Sequence, residues 1–175
     1  MGFIDKIKAR AKQKKMTIVL PETSDRRTVV AAHKVLEEDL ANLILIGNRE
    51  EILRTAEGLN LNKAQFVDPH TCDKLEVYSQ LLAEIRKSKG MTVDEAREIL
   101  LTNPLFMGCI MVKAGDADGM VAGAINSSAN VLRAALQVLK TAPDIKLVSA
   151  FFLVVVPNCE YGHNGTFIFA DAGLN

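Results

Sequence analysis

Residues 17–67 read TIVLPETSDRRTVVAAHKVLEEDLANLILIGNREEILRTAEGLNLNKAQFV, and the order of elements inside this stretch decides the fold class. Thr17 to Leu20 is a compact β-type run stopped by Pro21. Ser24 or Asp25 can cap a helix that carries Val29, Val30, Val35 and Leu36. Leu43 to Ile46, closed by Gly47, reads as a second buried strand. Arg49 to Ala56 is helical, and Gln65 to Val67 is a short third strand. Strand, helix, strand, helix, strand implies a mostly parallel sheet with helices on its faces.

Upstream, Gly2 to Lys15 sets Phe3, Ile4, Ile7 and Ala11 at helical spacing among lysines, the pattern of a short amphipathic helix. Downstream, a long helix is predicted from Cys72 to Lys89, with Leu75, Tyr78, Leu82 and Ile85 on one side. Thr92 and Glu95 form a capping box before a helix over Val93 to Leu101. Asn103-Pro104 starts the next helix, which carries Phe106, Met107, Ile110 and Met111. Asp118 to Ala122 reads as a strand. Asn126 to Lys140 reads as a helix with Leu132, Ala135, Leu136 and Leu139 toward the core. Lys146 to Val156 and Thr166 to Ala170 are apolar β runs, and an α/β order requires a helix after the last of them. The chain stops instead at Asn175, so the expectation is a fold cut part-way through.

Bulk composition excludes several classes. Of 175 residues, 49% are hydrophobic and 24% charged, with 21 basic residues balanced by 21 acidic ones. That balance gives no polyanion-binding signature, and the apolar content argues against disorder. The basic run Lys6, Lys8, Arg10, Lys12, Lys14 and Lys15 reads as a solvated helix face rather than a nucleic-acid or membrane arm. Cys72, Cys109 and Cys159 are scattered without a C-x-x-C pair, against a disulfide framework or zinc site. No signal peptide is evident, and the apolar run Ala150 to Val156 is too short to span a bilayer. The sequons at Asn126 and Asn164 then read as chance matches in a cytoplasmic protein.

Generic catalytic motifs are missing: there is no G-x-G-x-x-G, Walker A loop, H-E-x-x-H or G-x-S-x-G. Asp116-Ala-Asp118-Gly119 resembles the start of a calcium loop but lacks its remaining ligands, and reads as a turn into a strand. The informative segment is 115–133, GDADGMVAGAINSSANVLR. Its strand ends at Gly123, and Asn126, Ser127 and Ser128 open a helix. Backbone N–H groups and the positive end of the helix dipole converge there, which suits phosphate, and Gly123 and Ala124 let a ligand approach the backbone. Asn126, Asn130 and Arg133 share a face, so Arg133 can offer a two-pronged anion clamp. Simple capping beside a solvated arginine explains the same residues, and both readings stay open. Arg86, Lys87 and Lys89 close the long helix, where cations offset the dipole. Cys159 lies in a Gly-containing loop between two apolar strands. Glu160 beside it opposes thiolate formation, so it reads as a cleft-lining thiol.

Three segments together carry a resemblance: LPETSDRRTVVAA (20–32), NPLFMGCIMVKAGDADGMVAGAINSSANVLRAALQVLKTAP (103–143) and VPNCEYGHNGTFIFADAGLN (156–175). They resemble the phosphate acetyltransferase (phosphotransacetylase) family, and more distantly phosphate butyryltransferases and the C-terminal region of some malic enzymes. The resemblance implies a three-layer α/β/α sandwich of the isocitrate/isopropylmalate dehydrogenase-like type. Its first domain would cover residues 1–148, and an incomplete second domain residues 149–175.

The implied reaction is acetyl-CoA plus phosphate giving acetyl phosphate and CoA, with coenzyme A as substrate, no tightly bound cofactor and no metal. The resemblance also implies a homodimer with small-molecule substrates, binding neither nucleic acid nor membrane. Arg133 matches a substrate-contacting arginine of the family, and Arg86 a second basic contact. Ser127, Ser128 and Asn126 match the polar turn beside the site, and Cys159 a nearby cysteine that is not the nucleophile. The family's aspartate base and its Ser-Arg contacts are expected beyond residue 175. Two other classes compete: a dehydrogenase using nicotinamide and Mg²⁺, for which no carboxylate cluster is evident, and a non-catalytic module binding a phosphorylated ligand or a partner.

Overall fold

The structure, a computed structural model, describes residues 2–145 and 147–170. It divides into two compact units, Ala11–Lys140 and Met1–Arg10 with Thr141–Asn175. Helix α1 (Phe3–Gln13) runs from one unit into the other and buries none of its residues; Ile4 and Ile7 are each 47% exposed. The amphipathic pattern therefore does form a helix, but its apolar stripe faces outward among the described residues.

Within Ala11–Lys140, the strands are β1 (Thr17–Leu20), β2 (Asn42–Ile46), β3 (Gln65–Val67) and β4 (Gly119–Met120). They form one parallel sheet in the order β3-β2-β1-β4. The alternation read over 17–67 supplies three of the four strands. Helices α2 (Arg26–Glu37) and α3 (Arg49–Thr55) make the crossovers between them. Side chains alternate between the two faces with the strand period of two. Leu20, Leu43 and Leu45 join Val29, Ala32, Leu36 and Ile52 in one core layer. Val19, Ile44 and Ile46 join the other, built from α4 (Leu75–Arg86), α5 (Val93–Thr102), α6 (Pro104–Ala114) and α7 (Ser128–Val138). A sheet covered on both faces needs strands that are apolar throughout, and Leu43–Ile46 is buried without a break.

Local chemistry fixes the helix starts. Asp25, one of the two predicted caps, accepts the Arg27 N–H at 2.7 Å. Asn48 and Asn103 cap α3 and α6, and Thr92 with Glu95 forms the expected capping box of α5. Gly115 (φ 82°) ends α6 in the left-handed conformation.

Several element boundaries differ from the sequence reading. The predicted helix over 72–89 begins at Leu75, and after Arg86 it tightens into a 3₁₀ turn, Lys87–Lys89, before Gly90. Helix α7 starts at Ser128 rather than Asn126, because Asn126 is drawn into a separate contact and Ser127 takes the cap. Its core face is rotated as well. Ala134 and Val138 are buried, whereas Leu136, read as a core residue, is 44% exposed. The small Ala134 packs into the same core cluster as the buried stretch 105–111 of α6, and that close fit sets the rotation.

In the other unit, β5 (Phe151–Val155) pairs antiparallel with β6 (Thr166–Ala170), with Leu153 opposite Ile168. Strand β5 is shorter than the predicted 146–156 run, whose Lys146 lies outside the described residues, as do residues 171–175, on which the cut-fold expectation rests. The ribbon is a separate two-stranded sheet, so parallel order is confined to the first unit. Phe151, Phe152, Ile168 and Phe169 are exposed on it.

Candidate functional site

In a parallel α/β sheet, ligands bind outside the carboxyl ends of the strands where the chain reverses its direction of travel across the sheet. With the order β3-β2-β1-β4, that switch point lies between β1 and β4. Two segments meet there: Pro21 to Asp25 leaving β1, and Val121 to Ser127 leaving β4.

The contact between them centres on Glu22, which is only 4% exposed. Its Oε2 accepts the backbone N–H groups of Gly123 and Ala124, each at 2.6 Å. Its Oε1 accepts the backbone N–H groups of Ile125 (3.1 Å) and Asn126 (2.7 Å) and the Asn126 side-chain amide (2.9 Å). Burial alone would push this carboxyl up. The donors on Asn126, Ala124 and Ile125 outweigh burial and bring it down to about 2. Gly123 (φ +115°) supplies the left-handed backbone that lets successive amides face one acceptor.

In the turn read from residues 115–133 as suited to an anion, an internal carboxylate occupies the amides of 123–126. Backbone N–H groups that converge on one point need an acceptor, and Glu22, just past β1, supplies it. The first turn of α7 lies beyond this contact. Ser127 caps it, its Oγ accepting the Asn130 N–H at 3.3 Å, and Ser128 is its exposed first residue. By position, the Ser128 and Ala129 N–H groups have no intrahelical acceptor, and the helix dipole adds to their attraction for an anion. Arg133 is exposed, and its Nη1 reaches back along the helix to Asn130 Oδ1 at 3.4 Å. Asn126, Ser127, Ser128 and Arg133 thus lie on one turn and the helix it starts.

Arg27 borders the same turn. Its Nη2 donates to the Ala124 carbonyl at 2.6 Å and to Asp25 Oδ2 at 2.7 Å. The Asp25 partnership holds the guanidinium pKa up, and Arg27 in turn holds the Asp25 carboxyl down. Leu20, Glu22, Arg27, Val121 and Ala124 line a cavity of about 250 Å³ beside it. Arg26, by contrast, turns to the Thr55 carbonyl at 2.8 Å.

Arg86 is half-buried at the end of α4. With Lys89, Met91, Glu98 and Thr102 it lines a different cavity, of about 480 Å³, to which none of residues 121–133 contributes. Its Nε is buried without a hydrogen-bond partner. Cys159 is half-buried in the β5–β6 loop of the other unit. Among the described residues, no group of His, Cys, Asp or Glu is arranged to hold a metal ion, and no helix is long and apolar enough to cross a membrane. Asp116, in the calcium-like stretch, accepts from the Lys74 ammonium and, at 2.6 Å, from Tyr78 Oη. The turn-into-strand reading of that stretch holds.

The family model for phosphate acetyl/butaryl transferase matches residues 2–175. The chain belongs to that family. Within it, the phosphate acetyltransferase of Acetivibrio thermocellus is 54% identical over 174 residues, covering 99% of this chain and 52% of that protein. The phosphate acetyltransferase of Thermoanaerobacterium thermosaccharolyticum is 48% identical over 175 residues, covering 100% and 53%. Among solved structures, the EutD phosphotransacetylase from Staphylococcus aureus aligns with a TM-score of 0.85 at 30% identity, over 98% of this chain and 50% of that one. A phosphotransacetylase from Streptococcus pyogenes gives 0.86 at 31% identity, over 96% and 51%. The mixed α/β fold with its parallel sheet is thus the fold of phosphotransacetylases. The chain spans about half the length of the curated relatives it matches.

Glu22, the carboxylate at the centre of this turn, is a residue that sequence reasoning did not single out. Within PETSDRR, residue chemistry singles out only Ser24 and Asp25, as helix caps. A carboxylate directly after a parallel strand, with a Gly-containing turn elsewhere in the chain, was the available signal.

Proposed function

We propose that this protein serves phosphate acetyltransfer, the reversible exchange of an acetyl group between coenzyme A and phosphate. The observation that carries the reading is family membership along 2–175, together with an anion-suited turn at the switch point of the sheet. In the direction of thioester synthesis, the CoA thiol loses its proton and the sulfur attacks the carbonyl carbon of acetyl phosphate. The carbon–oxygen bond to phosphate then breaks, and phosphate leaves with the electron pair. Such a step gains most from groups that fix the two substrates and neutralise phosphate charge.

Residues 126–133 are suited to this. Ser127 and Ser128 offer hydroxyls and Ser128 a backbone donor at the start of α7, Asn126 borders them with its amides held by Glu22, and Arg133 offers a planar cation on the same helix. Arg86 is a second basic contact in this reading, and Cys159 a thiol near the reacting groups. The same reading takes a first α/β/α domain of the isocitrate/isopropylmalate dehydrogenase-like type over 1–148, a second from 149, a cytoplasmic homodimer, and CoA as a substrate with no tightly bound cofactor.

The test follows thioester absorbance from acetyl phosphate and CoA, using this chain and a chain extended to the length of its relatives. Butyryl phosphate serves as the competing acyl donor. Arg133→Ala is expected to raise the KM for CoA about tenfold or more with a smaller change in kcat. A faster reaction with butyryl phosphate would reassign the protein to butyryltransfer. No thioester from either chain would discard acyl transfer in favour of a binding module.

A further inference from the structure

We infer that Glu22 and Arg27 form a two-point clamp that holds the 123–126 turn, and with it the start of α7, where the site's ligand needs it, which makes Glu22 a positioning residue for the site. The inference rests on the functional reading above only for the identity of that ligand. The clamp itself stands on geometry.

Ala124 is gripped on both sides of its backbone: its N–H donates to Glu22 Oε2 and its carbonyl accepts from Arg27 Nη2, each at 2.6 Å. The two clamp residues come from one short segment, the exit of β1 and the start of α2. The turn they hold lies about a hundred positions further along the chain. Glu22 therefore fastens the two lips of the switch-point crevice together.

Its chemistry is specific. Four backbone N–H groups and one side-chain amide are satisfied by two carboxylate oxygens, which only an ionised carboxylate of this length can do. A glutamine would accept through one oxygen and present its own N–H₂ to the remaining donors. An aspartate would fall one methylene short. Arg27 acts at the opposite side of the turn, and Asp25 fixes its guanidinium from two atoms, with Nε to Oδ1 at 3.1 Å and Nη2 to Oδ2 at 2.7 Å. Asn126 is the last residue held by Glu22, and Ser127, the cap of α7, is its immediate neighbour. The position of the helix start, and of Ser128 and Arg133 on it, thereby depends on Glu22.

A brace that serves stability alone predicts unchanged ligand affinity in the molecules that remain folded. A positioning clamp predicts weakened affinity in a folded protein. The experiment uses the full chain, with Glu22→Gln, Glu22→Asp and Arg27→Ala compared with wild type. Amide proton shifts and exchange rates of residues 123–126 are read by NMR, and CoA binding by calorimetry. In wild type the four amide protons are expected well downfield and slow to exchange, as donors to a carboxylate. In Glu22→Gln they move upfield and exchange at least about tenfold faster, while amides of β1 and β2 keep their protection. CoA affinity falls about tenfold or more in Glu22→Gln and less in Arg27→Ala, with Glu22→Asp recovering part of the loss.

Affinity within about twofold of wild type in folded Glu22→Gln overturns the positioning role. Ordinary shifts and fast exchange of the four amides in wild type overturn the clamp altogether. If Glu22→Gln does not fold, Arg27→Ala and the wild-type amide pattern decide. If wild type binds no CoA, the same variants are measured in the chain extended to its relatives' length; no CoA binding there either removes CoA from the acetyltransfer reading, and the amides alone then decide the clamp.

Discussion

Thr17 and Asp118 hold each other reciprocally: the Thr17 N–H donates to Asp118 Oδ2 at 2.7 Å, and the Asp118 N–H donates to the Thr17 carbonyl at 2.8 Å. The pair sits at the entrance of β1 and β4, one residue before Ile18 meets Gly119 in the sheet. It fixes the register of a strand only two residues long. The register of β4 in turn decides where the 121–127 segment leaves the sheet and meets Glu22. Asp118→Ala removes the side-chain acceptor of a strand-end N–H, and should lower unfolding stability by about 1–2 kcal/mol. Asp118→Asn, which keeps an oxygen at the same place, should lose less. Denaturant midpoints of the two variants check the order.

Glu22 gives the fold a pH dependence with a defined sign. Its folded pKa of about 2 lies below the ordinary value of 4.5. The stabilisation is therefore fully present above about 4.5 and is lost as pH falls through about 2. A depression of that size corresponds to about 3 kcal/mol. The carboxyls of Asp25, Asp39, Glu95 and Asp116 are also held low, so total acid sensitivity is shared among them. The difference between wild type and Glu22→Gln isolates the Glu22 part. That difference should be flat above pH 4.5 and shrink steadily below it. A difference independent of pH down to 2 would show that Glu22 is not held ionised.

Asn103 ends one helix and begins the next. Its N–H donates to the Ile99 carbonyl at 2.8 Å, closing α5, while its Oδ1 accepts from the Leu105 and Phe106 N–H groups, opening α6. Asn103→Ala should cost about 1 kcal/mol, and Asn103→Asp or Asn103→Ser should keep most of the stability. Because α6 is the most buried helix of the first unit, the loss should appear as global unfolding, read by the thermal midpoint.

Gly165 has no room for a side chain. A Cβ there would lie 2.1 Å from the Val156 carbonyl oxygen, at a φ of +75°. The same two residues are joined by the Val156 N–H to Gly165 carbonyl bond of 2.8 Å, which closes the ribbon beside β5 and β6. Gly165→Ala should open the ribbon and leave the parallel sheet intact. Hydrogen exchange should quicken in 151–155 and 166–170, with little change in 17–20 and 42–46.

The sequence by itself determined the parallel sheet, because period, caps and turn residues agree locally in residues 17–67. Apolar strands covered on both faces, Asn103 as a cap and Gly47 as a terminator each follow from chemistry within a few residues. It also located the turn at 123–128, where a strand, a glycine and a polar helix start follow one another, and the three resembling segments indicated the family that the comparisons establish. Tertiary structure alone decided what fills that turn. Glu22 and the amides of 123–126 are about a hundred residues apart, and nothing local to either segment marks the other as its partner. It also decided the rotation of α7, since whether Leu136 or Ala134 faces inward depends on the close fit against α6 rather than on the helical period. Antiparallel pairing of β5 with β6 was likewise open. Their apolar composition serves either strand direction, and only the backbone hydrogen bonds between them set the choice.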